Sequence, residues 1–255
     1  MSKKRLFLID GNSFCYRAYY AVRPLSNSKG QATNAVYGFV TMVQKLIKDH
    51  APDMLAVAFD LKGPTFRHKM YDEYKIHRKP MPEDLVSQIP YIKRVVRAFN
   101  IPIYEMEGYE ADDVLATVAK KAEERDVETV IVTGDKDALQ MVNSHIKVMN
   151  THKDDLVYDA NRVEEVGGVS PEHITDLMSL MGDASDNIPG VPGIGEKTAV
   201  ELMKEFGSLD NLLKNIDSVK GEAKKRTLKE NEKLAVLSRE LAVLDVKVPV
   251  KVWLG

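Results

Sequence analysis

Three short β-branched or aliphatic runs frame this chain: Lys4 to Ile9, Leu55 to Phe59 and Thr129 to Thr133 are each followed within two residues by an aspartate, Asp10, Asp60 and Asp135. Runs of this kind read as buried strands, and Ile146 to Met149 is a weaker fourth. Between them lie stretches with helical spacing. These are Ala35 to Lys48, with Thr33 or Asn34 as its cap, Leu85 to Phe99, and Ala111 to Arg125, whose Val114, Leu115, Val118 and Ala119 share a face. Strands alternating with helices predict an α/β fold, a mostly parallel sheet with flanking helices. Parallel strands deliver their following residues to one edge, so the three aspartates meet at the carboxyl edge, where open parallel sheets bind ligands. One such aspartate is what any strand-ending turn favours; three at successive strand ends exceed turn chemistry.

After Val166 the strand signal stops, and Pro171 to Met181, Glu196 to Phe206, Leu209 to Asn215 and Glu230 to Leu244 all have helical spacing. The expected organisation is an α/β core over 1–166 and a smaller helical unit over 167–255, with Val246 to Gly255 unassigned. The longest apolar runs fall far short of the ~20 residues that span a bilayer, and Leu6 to Ile9 is too short for a signal-peptide core. The chain is expected to be soluble and intracellular, with no membrane partner. Its single cysteine, Cys15, allows no internal disulfide, and its six histidines show no paired spacing, so a metal here must be held by carboxylates.

A net charge of −2 says nothing about nucleic acid, but the charge is segregated along the chain. Lys62 to Lys79 carries six Lys/Arg against two acids, Lys220 to Lys229 five against one, and Glu105 to Asp137 eleven acids against four Lys/Arg. Solvated helix faces would explain either basic stretch alone; an acidic centre between two basic arms is harder to explain that way.

Further acids join the strand-end aspartates. Glu110, Asp112 and Asp113 open a helix, where they also suit capping and the helix dipole. Asp137 follows Asp135 by two, and Asp183 and Asp186 stand at the entry to the helical unit. Neighbouring carboxylates ~4 Å apart at an effective dielectric near 20 repel by roughly 4 kcal/mol per pair, so a converged set calls for divalent cations. Oxygen-only ligation favours Mg²⁺, with Mn²⁺ as substitute. Two or more ions at such a site suit phosphoryl transfer without a His or Ser nucleophile. On an ideal helix Glu110 and Asp113 share a face while Asp112 points elsewhere, so all three converge only if the helix begins inside the motif.

Ile188 to Ala199 contains Gly190, Gly193 and Gly195 but fails the phosphate-loop pattern of nucleotide hydrolases, because Glu196 separates the last glycine from Lys197 and no strand leads in. A Gly-Ile-Gly turn between helices instead lets backbone N–H groups approach a phosphate, contacting DNA without reading sequence; a plain interhelical turn is the alternative. Lys197, Lys220, Lys224, Lys225 and Arg226 would extend the contact along a duplex. Thr65 to Pro80 interleaves Lys/Arg with Tyr71 and Tyr74, suited to phosphates and stacked bases.

Leu8 to Ser13 with Tyr16-Arg17-Ala18, Thr33 to Gly38, Val57 to Asp60, Phe66-Arg67-His68 with Tyr74-Lys75, Tyr109 to Asp113, Thr133 to Asp137 and Met181 to Ala199, in this order and spacing, resemble the bacterial 5'-3' exonuclease and flap endonuclease family over nearly the whole chain. The resemblance implies a PIN-like 5' nuclease fold with a C-terminal helix-hairpin-helix. It also implies Mg²⁺-dependent hydrolysis of DNA near the 5' end of flaps and nicks, as in primer removal and repair, with an RNA primer in a hybrid as a further substrate. It assigns Asp10, Asp60, Glu110 and Asp112 to one metal and Asp135, Asp137 and Asp186 to the other, with Asp113 and Asp183 assisting. Lys75 and Arg78 fall on an arch near 62–84 and steady the scissile phosphate; with Asp10 and Asp112 they form the expected catalytic set. Arg17, Arg67, Tyr74, Lys75, Arg78, Gly190, Gly193, Gly195, Lys197 and Thr198 are the expected DNA contacts, with a K⁺ at the hairpin. The family further implies a monomer in the bacterial cytoplasm, associated with the nucleoid, either standing alone or joined to a polymerase domain. The other readings are a PIN-like nuclease acting on RNA, which would usually lack the glycine hairpin, and a DNA-binding module without catalysis.

Overall fold

The first apolar run becomes β1 (Arg5–Asp10), buried from Leu6 onward. In the computed structural model, which describes residues 3–253 except 152 and 154, β1 lies inside a single sheet. On one side it pairs in parallel with β2 (Met54–Ala58), which carries β3 (Ile103–Tyr104) at the edge. On the other side it pairs in parallel with β4 (Glu128–Val132), followed by β5 (Ile146–Asn150). The last strand, β6 (Leu156–Tyr158), runs antiparallel to β5. The mostly parallel sheet expected from the sequence is present. The chain winds outward from β1 to β3, then returns to β4 on the other flank of β1, so a topological switch point lies between β1 and β4. Open sheets leave a crevice at such a point, and Asp10 and Asp135 stand on its two sides.

Helix α1 (Gly11–Ala21) starts directly from β1, its first turn capped by the Asp10 carboxylate, which accepts the Ser13 N–H at 2.9 Å. Gly11 is required here because a Cβ would sit 2.5 Å from the Phe59 ring and 2.7 Å from the Ala58 carbonyl oxygen. After α2 (Asn34–His50) and the short α3 (Phe66–Met70), α4 (Glu83–Ala98) completes a layer with α1 and α2. Phe14, Phe39, Val43, Leu85 and Ile92 of that layer pack on Phe7, Ile9 and Val57. The opposite face is covered by α5 (Ala111–Glu123), which buries Val114, Leu115, Val118 and Ala119 as their spacing predicts.

The apolar cluster under α5 continues without a break into the helical part. That part comprises α6 (Ala160–Gly167), α7 (Ile174–Met181), α8 (Glu196–Phe206), α9 (Leu209–Lys214), α10 (Glu222–Glu230) and α11 (Glu232–Ala242). Leu180, Ile188, Leu202 and Leu241 belong to the same core as Leu8 and Ile131. Beyond α11 the segment left unassigned by sequence forms a strap along α5. The Thr117 hydroxyl donates to the Asp245 carbonyl and accepts from the Val248 N–H, both at 3.1 Å, and the Trp253 N–H reaches the Tyr104 hydroxyl at 3.1 Å. Residues 1, 2, 254 and 255, which include the outer limits of the two expected units, lie outside the described residues. Among the described residues no helix is long and apolar enough to cross a membrane.

Candidate active site

The carboxyl ends of β1, β2 and β4 open into a cleft of about 730 Å³ whose walls include Asp10, Asp60, Glu110, Asp112, Asp135 and Asp183 together with Lys75 and Arg78. Asp10 is fixed twice, by the Ser13 N–H and by the Thr133 hydroxyl, which donates at 2.8 Å. Asp60 accepts the Ala111 N–H at 2.7 Å, serving the positive end of α5, and also takes the Asn12 side-chain amide. Asp135 accepts the Asp137 N–H at 3.0 Å, so the two acids share one turn past β4. Asp183 accepts from the Ser185 N–H and hydroxyl, both at 2.7 Å. Asn12, Ser13 and Thr133 are thus supports that the sequence assigned no role. Their signal was nearness to the acids within the motifs Leu8 to Ser13 and Thr133 to Asp137.

Burial, with the charges of Asp60 and Asp135 and against the Ser13 N–H and Thr133 hydroxyl, lifts the Asp10 pKa from 3.8 to about 6. Burial and then the charges of Asp10, Asp135 and Asp60 push Asp112 far above its ordinary value. Asp137 is raised by burial and then by Asp135, Asp186 and Asp183. The repulsions therefore form two groups that share Asp135. Asp186 is also raised by burial, although Lys75 and Arg78 pull it down. For Glu110 burial acts upward too, but Lys75 and Arg67 outweigh it and hold that carboxyl below the usual range.

The donor set fits hard divalent cations. Every candidate ligand is a carboxylate, several are kept from ionising comfortably by one another, and Asp112 Oδ1 is buried with no hydrogen-bond partner. Among the described residues no three of these acids close into a ready-made cage. Glu110 Oε1 and Asp186 Oδ2 are held by Lys75 at 2.8 and 3.2 Å.

Several expected residues are placed elsewhere. Asp113, expected as an assisting ligand, is fully buried away from the cleft. Its two oxygens take Arg67 Nη1 at 2.7 Å and Nη2 at 2.8 Å, with the Glu110 and Asp245 N–H groups at 3.1 and 2.9 Å. Arg67, expected on DNA, is 1% exposed and also donates to the Leu241 and Val243 carbonyls at 2.8 and 2.7 Å. Tyr74, expected to stack on bases, is buried, its hydroxyl donating to Glu110 at 3.0 Å and Asp186 at 3.2 Å. The segment expected to rise as an arch therefore anchors on the acids through these inward side chains, while Lys69, Ile76 and His77 are exposed and Arg78 and Lys79, also exposed, line the cleft. Arg17 is outside the cleft, 3.8 Å from Asp155.

At the hairpin, Gly193, Gly195 and Lys197 are exposed, Gly195 caps α8 and Thr198 is half-buried. Gly190 is not available to a phosphate. It is buried, its N–H donates to the Ser238 hydroxyl at 3.0 Å, and a Cβ would lie 2.4 Å from the Gly182 nitrogen at a φ of +63°. Gly190→Ala is expected to destabilise the fold by about 2 kcal/mol or more. Urea denaturation checks this, and a midpoint within error of the parent would count against the close packing of Gly182 on Gly190.

Comparison with known proteins gives two family models, "5'-3' exonuclease, N-terminal resolvase-like domain" over residues 5–168 and "5'-3' exonuclease, C-terminal SAM fold" over 169–254. A 5'-3' exonuclease of Aquifex aeolicus is 42% identical over 94% of this chain and 84% of its own length. A DNA polymerase I of Bacillus caldotenax is 46% identical over 99% of this chain, which spans 29% of that relative's length. In fold, a zinc-bound T5 5'-exonuclease matches with a TM-score of 0.79 at 23% identity, covering 95% of this chain and 90% of that one. The catalytic core of Rad2 in complex with DNA substrate matches at 0.62 and 20% identity, covering 98% of this chain and 83% of that one.

Proposed function

The chain belongs to the 5'-3' exonuclease family, and on that premise we propose that it hydrolyses DNA phosphodiesters near the 5' end of flapped or nicked duplexes with the aid of Mg²⁺ or Mn²⁺. The observation that carries this reading is the convergence of strand-end carboxylates around the cleft, with Asp112 Oδ1 buried and unpartnered. Asp10, Asp60, Glu110 and Asp112 would hold one cation and Asp135, Asp137 and Asp186 another, with Asp183 nearby; Asp112 is repelled by Asp10 and Asp60, Asp137 by Asp186 and Asp183, and Asp135 acts on both. Divalent cations bound there supply the Lewis acidity that phosphodiester hydrolysis needs.

The rest falls to the chain itself. Thr133, Ser13 and Asn12 fix the directions of Asp10 and Asp60, so little reorganisation is left at the moment of reaction. Lys75 and Arg78, at the cleft wall, steady the negative charge of the scissile phosphate. Gly193, Gly195 and Lys197 hold the duplex backbone without reading its sequence, with K⁺ as a candidate bridge and Thr198 beside them. The division into a nuclease core over 1–166 and a DNA-binding helical unit over 167–255 belongs to this reading, as do a hybrid RNA primer as substrate, a monomeric state, a cytoplasmic, nucleoid-associated place and a polymerase segment in the full-length protein.

The test is cleavage of 5'-labelled flap DNA, blunt duplex, single strand and matched RNA, in Mg²⁺ and in EDTA. Metal-dependent cutting near the flap junction is expected. Cutting confined to RNA, or binding without cutting, would overturn the proposal.

A further inference from the structure

Lys75 is anchored to two acids at once. Its Nζ lies 2.8 Å from Glu110 Oε1 and 3.2 Å from Asp186 Oδ2, and so joins a carboxylate of one proposed cation group to a carboxylate of the other. Its backbone N–H donates to the Asp186 carbonyl at 2.9 Å. Its φ of +57° is a left-handed conformation that a long side chain adopts only when surroundings enforce it. The ammonium also stands 5.0 Å from the centre of the Tyr74 ring, whose hydroxyl touches the same two acids. The nearby Arg78 shares the cleft wall and feels the charges of Asp186, Asp60 and Glu110, but among the described residues it makes no close ion pair of the kind Lys75 makes with Glu110 and Asp186.

We propose that Lys75 is an internal counter-ion that competes with the divalent cations for Glu110 and Asp186, so that cation loading releases the Lys75 ammonium toward the phosphodiester. The inference rests on the metal-dependent reading above. It accounts for the geometry of one ammonium fixed between a carboxylate of one proposed cation group and a carboxylate of the other. A group can occupy only one of the two places. With Lys75 inward, Glu110 Oε1 and Asp186 Oδ2 share one ammonium, while Glu110 Oε2 keeps Arg67 Nη1 at 3.2 Å. With those oxygens turned toward divalent cations, the ammonium would lose its partners in the cleft wall it shares with Arg78 and be free to meet the phosphodiester. Order follows from this arrangement, because the chain cannot present Lys75 to substrate fully before the cations are in.

The experiment measures Mn²⁺ binding to the DNA-free protein by electron paramagnetic resonance and calorimetry, beside single-turnover cleavage of a flap. If Lys75 sits inward in about nine molecules of ten, Lys75→Met should tighten Mn²⁺ about tenfold, since an internal competitor lowers apparent affinity by the competent fraction. The same substitution should slow single-turnover cleavage by about a hundredfold. Lys75→Arg, which keeps a cation there, should leave Mn²⁺ affinity near the parent value. Arg78→Met removes the same unit of charge without an ion-pair partner and should tighten Mn²⁺ by no more than about threefold. Unchanged Mn²⁺ affinity in Lys75→Met, or equal gains in Lys75→Met and Arg78→Met, would overturn the exchange while leaving metal-dependent cleavage standing. A parent protein that binds no Mn²⁺ would overturn the metal reading itself.

Discussion

Asp112→Asn is expected to move activity and stability in opposite directions. Cleavage should fall by about a hundredfold or more, because a cation ligand is lost. The EDTA-treated protein should nevertheless melt higher than the parent. Asp112 is buried with Oδ1 unpartnered and with Asp10, Asp135 and Asp60 repelling its charge, so its ionised form opposes folding. Each pKa unit by which burial lifts a carboxyl corresponds to about 1.4 kcal/mol, which for a chain of this size is about 3–6 °C in Tm. The sign with pH follows. Groups raised like Asp10, from 3.8 to about 6, leave the fold most stable when protonated and withdraw that stability as pH rises through about 6. The advantage of Asp112→Asn should therefore be absent near pH 4 and grow toward pH 7.5, as read by scanning calorimetry in EDTA. A variant that melts below the parent at pH 7.5 would show that Asp112 is structurally satisfied after all.

Arg67→Met should produce the largest loss of stability of any single substitution at the site. The guanidinium is 1% exposed and holds both oxygens of Asp113, which is itself fully buried. Burial alone would make the Arg67 charge unfavourable, but Asp113 and Glu110 more than compensate. Removing one partner of such a pair strands the other's charge and costs about 3–5 kcal/mol, or roughly 10 °C in Tm. The double variant Arg67→Met/Asp113→Asn should recover a large part, because the stranded charge is gone. A variant that keeps the parent Tm but binds duplex DNA weakly would restore Arg67 to the role its sequence context suggested.

The strand-end acids were legible because strand periodicity and parallel pairing are local rules: a run of apolar residues followed by Asp fixes both the strand and the edge. The same rules missed β3 and β6, whose two and three residues are too short to show any period. They missed α10 as well, where Leu228 is the one buried residue in a strongly charged stretch. Asp113, Arg67 and Tyr74 were misread for a different cause. Charged and phenolic residues in a basic stretch read as surface, and only contacts remote in sequence reverse that. Arg67 is satisfied by a carbonyl 174 positions away and Tyr74 by a carboxylate 112 positions away. Gly190 belongs with them, since its partner at Ser238 lies 48 residues on.

The unbroken apolar cluster beneath α5 bears on how such a chain can be inherited and rearranged. Leu8 and Ile131 of the sheet share their packing with Leu180, Leu202 and Leu241 of the helices, Arg67 donates to the Leu241 and Val243 carbonyls at the end of α11, and Thr117 holds the strap beyond it. The two stretches matched by separate family models are therefore not cassettes that can be swapped between relatives at will. A graft joined at their boundary inherits two half-cores shaped for other partners. Substitutions on the two sides of this seam should therefore be energetically coupled even where no residue touches DNA.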